Sequence, residues 1–453
     1  MAAVPVVGPV HPGRARSSPV EPGRARSSPV GRPADRYDRP VTIAGPTREE
    51  ALAQDAGDPL APCRSRFLLP DGVIYLDGNS LGARPVGVAE RVASTIADEW
   101  GDHLIAAWTR DRWIELPRRV GDRIGGLIGA APGQVVVTDS TSVNLFKLLH
   151  AALDLRPGRT TILTEAENFP TDRYLIDAVA ASRGLTVRVV PADGIDDALT
   201  DDVALLCLTH VNYRSGRRHD LARITAAAQT AGALTLWDLA HSAGAMPLTL
   251  DDSGVDFAVG CSYKFLNGGP GAPAFAYVAA RHRSHVRQPI PGWLGHADPF
   301  SMRDDYEPAD GIGRMITGTA PVLSLVALDA ALDAFDGVDL VAVRAKSEGL
   351  AELFVKLVEM RCGDAGLTLA SPRRPGERGS QVSFAHDDGY GIVQALIERS
   401  VVGDYREPSI CRFGLAPLYL RYVDVWDAAD RLVDVLASGA HLDVRFAVRG
   451  AVT

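Results

Sequence analysis

Short, continuously apolar segments of strand length, separated by amphipathic stretches, constrain this chain more than any other feature. They are VVVT at 135–138, TILT at 161–164, VALLCLT at 203–209, LTLWD at 234–238, DFAVGCS at 256–262 and AFAYV at 274–278. A strand that is apolar at every position must be covered on both faces, and stretches such as 219–231 have the helical period needed to cover it. The pattern predicts an α/β fold built on a mostly parallel sheet. With 453 residues and 46% hydrophobic content, the chain can bury a large core and form two or three domains. After Gly318 the pattern changes to a helical stretch over 321–360, shorter strands and a last helix near 424–438, which predicts a smaller C-terminal α+β domain. The expected organisation is a tail over 1–45, an N-terminal segment over 46–100 packing on the small domain, a large domain over 101–320, a small domain over 321–445 and a short tail over 446–453.

The tail contains a direct repeat, HPGRARSSPV at 11–20 and EPGRARSSPV at 21–30, with almost nothing to bury, and its composition predicts disorder. A net charge of −9 leaves no electrostatic footprint for nucleic acid or an anionic membrane surface. There is no apolar leader-like region and no apolar run long enough to span a bilayer, so a cytoplasmic protein acting on small molecules is expected. The five cysteines, Cys63, Cys207, Cys261, Cys362 and Cys411, are scattered without CxxC or Cys/His metal spacing, which predicts reduced thiols and no metal site.

The sharpest chemical signal is Ser262-Tyr263-Lys264 at the end of an apolar run, followed by the glycine-rich Asn267-Gly268-Gly269-Pro270-Gly271. A partly desolvated lysine held there can form a Schiff base, although a lysine after a strand is by itself more often a solvated surface residue. Asp238 ends the preceding apolar strand. In an open α/β sheet both side chains would face the crevice at the carboxyl ends of the strands, where an aspartate can pair with a protonated pyridine nitrogen. His241, in the same strand-end run, suits a phosphate or a cofactor edge, with a satisfied structural histidine as the lesser alternative. The stretch Asp139-Ser140-Thr141-Ser142 opens a helix, and its hydroxyls and free N–H groups suit either a phosphate or a plain N-cap.

Taken together these residues resemble the fold-type I pyridoxal-phosphate enzymes, in the class V aminotransferase-like branch, and the kynureninase family in particular. The resemblance runs through YLDGNSLGARP at 75–85, RVGDRIGGLIGA at 119–130, DSTSVNLFKLL at 139–149, NFPTDRYL at 168–175, LTHVNYRSG at 208–216, WDLAHSAGA at 237–245, SYKFLNGGPGAPAF at 262–275, PGWLGH at 291–296 and CRFGLAPLY at 411–419. It implies a mixed, mostly parallel seven-stranded sheet, with pyridoxal 5′-phosphate bound covalently to Lys264 and its pyridine nitrogen paired with Asp238. It further implies that Thr141 and Ser142 hold the phosphate with Tyr263 and, from the second subunit of a homodimer, Trp293 and Thr319. Phe169 would stack on the ring, while Asp172, Thr209 and His241 line the cofactor site. Arg412 would clamp the substrate carboxylate through a bidentate pair, with Ser80 beside it, and Tyr263 would protonate Cβ. The implied reaction is hydrolysis of L-kynurenine, or a ring-substituted relative, to an anthranilate and L-alanine in tryptophan catabolism, the kynurenine route to NAD, or a secondary-metabolite pathway.

Two other readings stay in view, a cysteine desulfurase or selenocysteine lyase, and a non-catalytic cofactor-binding regulator. A desulfurase needs a thiolate nucleophile, for which Cys411, next to Arg412, is the candidate. Thr319 stands where vertebrate kynureninases have asparagine, and Leu294 where an aromatic residue is usual, which leaves the ring substituents of the substrate open.

Overall fold

Each apolar run read above forms a strand of one sheet in a computed structural model, which describes residues 45–450. The repeat and all but the last residue of the expected tail over 1–45 lie outside the described residues, as do residues 451–453. The strands are β1 Val135–Val137, β2 Thr161–Glu165, β3 Thr186–Val190, β4 Val203–Thr209, β5 Leu234–Asp238, β6 Phe257–Gly260 and β7 Phe275–Val278. Their order across the sheet is β1-β7-β6-β5-β4-β2-β3. The strands from β6 to β3 are parallel, and β7 runs antiparallel to both of its neighbours, β6 and β1. Every residue of β4 and β5 is buried, as strands covered on both faces require. The sequence reading missed β3, TVRVV, because this edge strand is only partly covered, unlike β1 at the other edge, and Arg188 at its centre reaches Asp202 at 2.8 Å.

Helices α1 Leu116–Ile128, α2 Thr141–Asp154, α3 Pro170–Arg183 and α4 Leu221–Thr230 pack on this sheet. A Cβ at Gly121 would stand 2.3 Å from the Val135 carbonyl, so α1 reaches β1 only through glycine at that position. This accounts for one glycine of the RVGDRIGG block on packing grounds alone.

The second sheet is antiparallel, with β8 Thr368–Leu369, β9 Gln381–Ala385, β10 Asp404–Arg406 and β11 Ile410–Gly414 in the order β8-β9-β11-β10. Helix α5 Val322–Ala331 packs on α1 and on helix Val88–Ser94, while α6 Leu340–Cys362, α7 Gly389–Ile397 and α8 Tyr422–Ser438 accompany the second sheet. The single helical stretch expected over 321–360 is broken. After α5 a 3₁₀ turn runs over Leu332–Phe335, Gly337 takes a left-handed φ of 70°, and Asp339 caps α6 by accepting from the Val341 N–H at 2.8 Å. From the N-terminal side, helix Arg48–Ala56 joins α8: Arg48 meets Asp427 at 2.7 Å, and Asp55 accepts from the N–H groups of Tyr422 and Val423 at 2.6 and 3.0 Å. The short strand Ile74–Tyr75 pairs in parallel with Val401–Val402. Among the described residues no helix is long and apolar enough to cross a membrane.

Candidate active site

Because β1, β2, β4, β5 and β6 all point the same way, their carboxyl ends share one edge of the sheet, and the chain leaves that edge through the predicted site residues. Thr209 ends β4 and Asp238 ends β5, both buried. Asp238 accepts from the Ala240 N–H at 2.8 Å. Asp172, in the first turn of α3, is buried as well, and its Oδ2 has no partner. Burial raises both carboxyls above the usual range, Asp172 strongly. Asp238 raises Asp172 further, and the Lys264 charge works against burial on each of them.

Lys264 follows β6 on a turn fixed by its own sequence. The Asn267 N–H donates to the Lys264 carbonyl at 2.9 Å, the Gly268 N–H to the Ser262 carbonyl at 2.9 Å, and Ser262 Oγ to the Pro273 carbonyl at 2.6 Å. The N–H of Gly82, from the YLDGNSLGARP block, donates to the Tyr263 carbonyl at 2.7 Å. Lys264 Nζ lies 3.0 Å from His241 Nε2. Burial first, then the Lys264 and Arg412 charges, hold His241 neutral by pushing it well below its ordinary value, and its Nδ1 is buried without a partner. The Tyr263 phenol is raised by burial, then by Cys261, so it keeps its proton at neutral pH.

At the β1 end, Ser140 rather than Thr141 or Ser142 caps α2, accepting from the Val143 N–H at 3.3 Å. The hydroxyls of Thr141 and Ser142 are thus not used by the cap. Phe169 precedes α3 with 37% of its surface exposed, and its ring meets Tyr213 edge-on at 5.2 Å.

Arg412 comes from β11 and is buried. It does not present a free fork. Its Nε donates to Asp404 Oδ1 at 2.7 Å, its Nη2 to Asp404 Oδ2 and to Ser80 Oγ at 2.8 Å, and its Nη1 to the Tyr213 carbonyl at 2.5 Å. Asp404 sits directly opposite Arg412 in the antiparallel β10–β11 pair and accepts from Ser80 Oγ at 2.6 Å. Arg406 Nη2 lies 2.7 Å from Asp404, and Asp77 adds a carboxyl whose Oδ1 is buried and unpartnered. Sequence reasoning missed Asp404, Asp77 and Tyr213; Asp77 and Tyr213 lie within blocks 75–85 and 208–216 quoted above, whereas Asp404 acts through a cross-strand pairing that only the structure shows.

Trp293 and Thr319 lie in loops that lean on each other, with the Leu294 N–H donating to the Thr317 carbonyl at 3.2 Å. Trp293 packs edge-on against Trp108 and Phe300, and Thr319 is exposed. Cys411 is next to Arg412 in sequence, but successive side chains of a strand point to opposite faces. It is fully buried toward α7, with Sγ 3.3 Å from the Gly389 carbonyl, and burial pushes its thiol up to about 12. Among the described residues no cluster of His, Cys, Asp or Glu could hold a metal ion.

A family model described as the kynureninase C-terminal domain matches residues 343–432. A kynureninase from Burkholderia pseudomallei strain K96243 is 52% identical over 415 residues, covering 90% of this chain and all of that protein. One from Pseudomonas fluorescens is 49% identical over 414 residues, with the same coverage of each chain. Among solved structures, the cysteine desulfurase of Thermococcus onnurineus NA1 superposes with a TM-score of 0.71 at 17% identity, covering 83% of this chain and 98% of that one. A C-DES variant with glycine covalently linked to its pyridoxal-phosphate cofactor gives 0.72 at 20% identity, covering 82% and 99%. At these identities the two structures speak to the fold alone.

Proposed function

The chain belongs to the kynureninase family, and from that premise we propose that it hydrolyses L-kynurenine to anthranilate and L-alanine with pyridoxal 5′-phosphate as its cofactor. The carrying observation is the convergence of Lys264, Asp238 and a neutral His241 on one sheet edge, with the Arg412 charge close enough to act on His241. The site suits a flat, polar-edged cofactor: Asp172 Oδ2 and His241 Nδ1 are buried polar atoms in want of partners, and Phe169, three residues before Asp172, keeps part of its ring uncovered.

Lys264 would hold the cofactor covalently, Asp238 its pyridine nitrogen, and Thr141 and Ser142 its phosphate at the start of α2, where the helix dipole favours an anion. Asp172, Thr209 and His241 would line its remaining edge. When bound, the cofactor supplies an electron sink for charge developing on substrate carbon. The Lys264 amine would take the proton from the substrate Cα. Tyr263 keeps its proton at neutral pH and so can deliver it to Cβ as water cleaves the Cβ–Cγ bond, a role worth about 10²–10⁴-fold. Arg412, fixed by Asp404 and Ser80, would receive the α-carboxylate at its Nη1 side.

The assembly we propose is a homodimer in which Trp293 and Thr319 complete the phosphate site of the other subunit. Supporting it are the exposure of Thr319 and of the apolar Phe300 and Met302 on the neighbouring segment. We also propose a large domain over 101–320, a small one over 321–445, action in the cytoplasm, and a place in tryptophan breakdown or NAD synthesis. Steady-state kinetics on kynurenine and 3-hydroxykynurenine side by side would settle the ring preference.

The test is anthranilate fluorescence during turnover, with borohydride reduction of the resting protein. Borohydride should fix the cofactor to the peptide containing Lys264, and Lys264→Ala should lose anthranilate formation by several orders of magnitude. Near wild-type turnover by Lys264→Ala would overturn the assignment. Cys411→Ser should leave turnover unchanged, because a thiol this buried and this weakly acidic is not a nucleophile.

A further inference from the structure

Lys147 lies on α2, the helix whose first turn carries Thr141 and Ser142, with its side chain fully buried. Its Nζ donates to Asp139 Oδ2 at 2.7 Å and to the Met315 carbonyl at 2.6 Å. Asp139 occupies left-handed backbone, φ 49°, which aspartate tolerates better than most residues with a side chain. Its carboxylate also accepts from Thr138 Oγ1 at 3.0 Å and Thr317 Oγ1 at 3.2 Å. The Thr317 carbonyl accepts from the Leu294 N–H, and it would stand 2.3 Å from a Cβ at Gly292. One buried cation thus ties the 139–142 turn to segment 311–317 and, through it, to the 291–296 loop.

Burying an ion pair is a weak way to stabilise a fold, since desolvation offsets most of the attraction. This pair lies where an uncompensated Asp139 carboxylate would stand beside the start of α2 and repel an anion there. Resting on the reading of the site as a pyridoxal-phosphate pocket, we propose that Lys147 and Asp139 are positioning residues for the cofactor phosphate. Lys147 cancels the Asp139 charge and, with it, clamps the 139–142 turn against segment 311–317. The pair acts through Thr141 and Ser142 and touches no reacting atom. Burial lowers the Lys147 ammonium while Asp139 works against that shift, as a paired buried lysine requires.

The experiment compares pyridoxal 5′-phosphate with pyridoxal, which lacks the phosphate, by absorbance titration of the cofactor-free full chain. Lys147→Met should raise the dissociation constant for pyridoxal phosphate at least tenfold and leave that for pyridoxal within twofold. The double variant Lys147→Met/Asp139→Asn removes both charges and so avoids a lone, partly buried carboxylate. It should fold with a melting temperature near wild type and still bind the phosphorylated form several-fold more weakly. Equal weakening of both ligands, or unchanged affinity for pyridoxal phosphate in a folded variant, would overturn the proposal. A wild-type chain that binds neither ligand would overturn the pocket reading itself, and the proposal with it.

Discussion

Arg412 and Asp404 face each other across the β10–β11 pair, and that register decides which edge of the guanidinium a substrate meets. Asp404 occupies the Nε–Nη2 edge, so removing Arg412 removes a charge-assisted anchor while removing only the Asp404 charge loosens its aim. Arg412→Ala should lower kcat/KM by about 2–5 kcal/mol in transition-state terms, and Asp404→Asn should raise KM about tenfold with little change in kcat. Steady-state kinetics checks both, and a wild-type KM in Asp404→Asn would remove the positioning role. Asp77 brings a pH dependence: burial, then Asp404, raises its carboxyl to about 7. Above that pH it adds negative charge near Arg412, so KM for a substrate held by its α-carboxylate should climb as pH rises through about 7. In Asp77→Asn that climb should flatten. The placement of Lys264 and Asp238 at one sheet edge was legible in the sequence because Asp238 ends an apolar run and Lys264 follows one, and the parallel sheet dictates the direction of both. Asp404 was not, since its strand spans only Asp404–Arg406 and its meaning lies in a cross-strand pairing that periodicity does not reveal.

At the scale of elements, the loop Asp77–Gly82 is wedged between the two sheets' site residues with no room to spare. A Cβ on Gly82 would stand 2.2 Å from the Lys264 carbonyl, and one on Gly414 would stand 2.0 Å from Asn79 Oδ1. The Lys264 carbonyl is backbone and cannot step aside alone, so Gly82→Ala should shift the lysine turn at a cost of about 1–3 kcal/mol. Thermal melts should show the loss, and borohydride trapping of cofactor at Lys264 should fall with it; an unchanged melt would show that the loop yields. The apolar strands were read nearly to the residue, because full burial leaves a continuous signal. The break after α5 was not: Asp336 and Gly337 interrupt a stretch whose flanks both have helical periodicity, and the left-handed glycine is visible only in three dimensions. Edge strand β3 escaped for the opposite reason, its alternation being diluted by solvent.

For the whole molecule, acid stability follows from His210, buried at the carboxyl end of β4 with Nδ1 2.7 Å from Ser242 Oγ. Burial lowers its value to about 3. The unfolded chain binds that proton near about 6.5, so the contribution is full above about 6.5 and lost as pH falls toward 3. Melting temperature should therefore decline through that window, and His210→Gln should decline less steeply; parallel curves would show that another group sets the slope. The sheet order carries a different consequence, for synthesis. Strand β1 pairs only with β7, which follows it after all the other strands of the sheet. A nascent chain can zip β2 through β6 together as they emerge from the ribosome, yet β1 has no neighbour until Phe275–Val278 is made. The turn at 139–142, near the beginning of the sheet in sequence, is thus among the last parts of it to be anchored, and a truncated translation product would be left with its anion-facing end undocked.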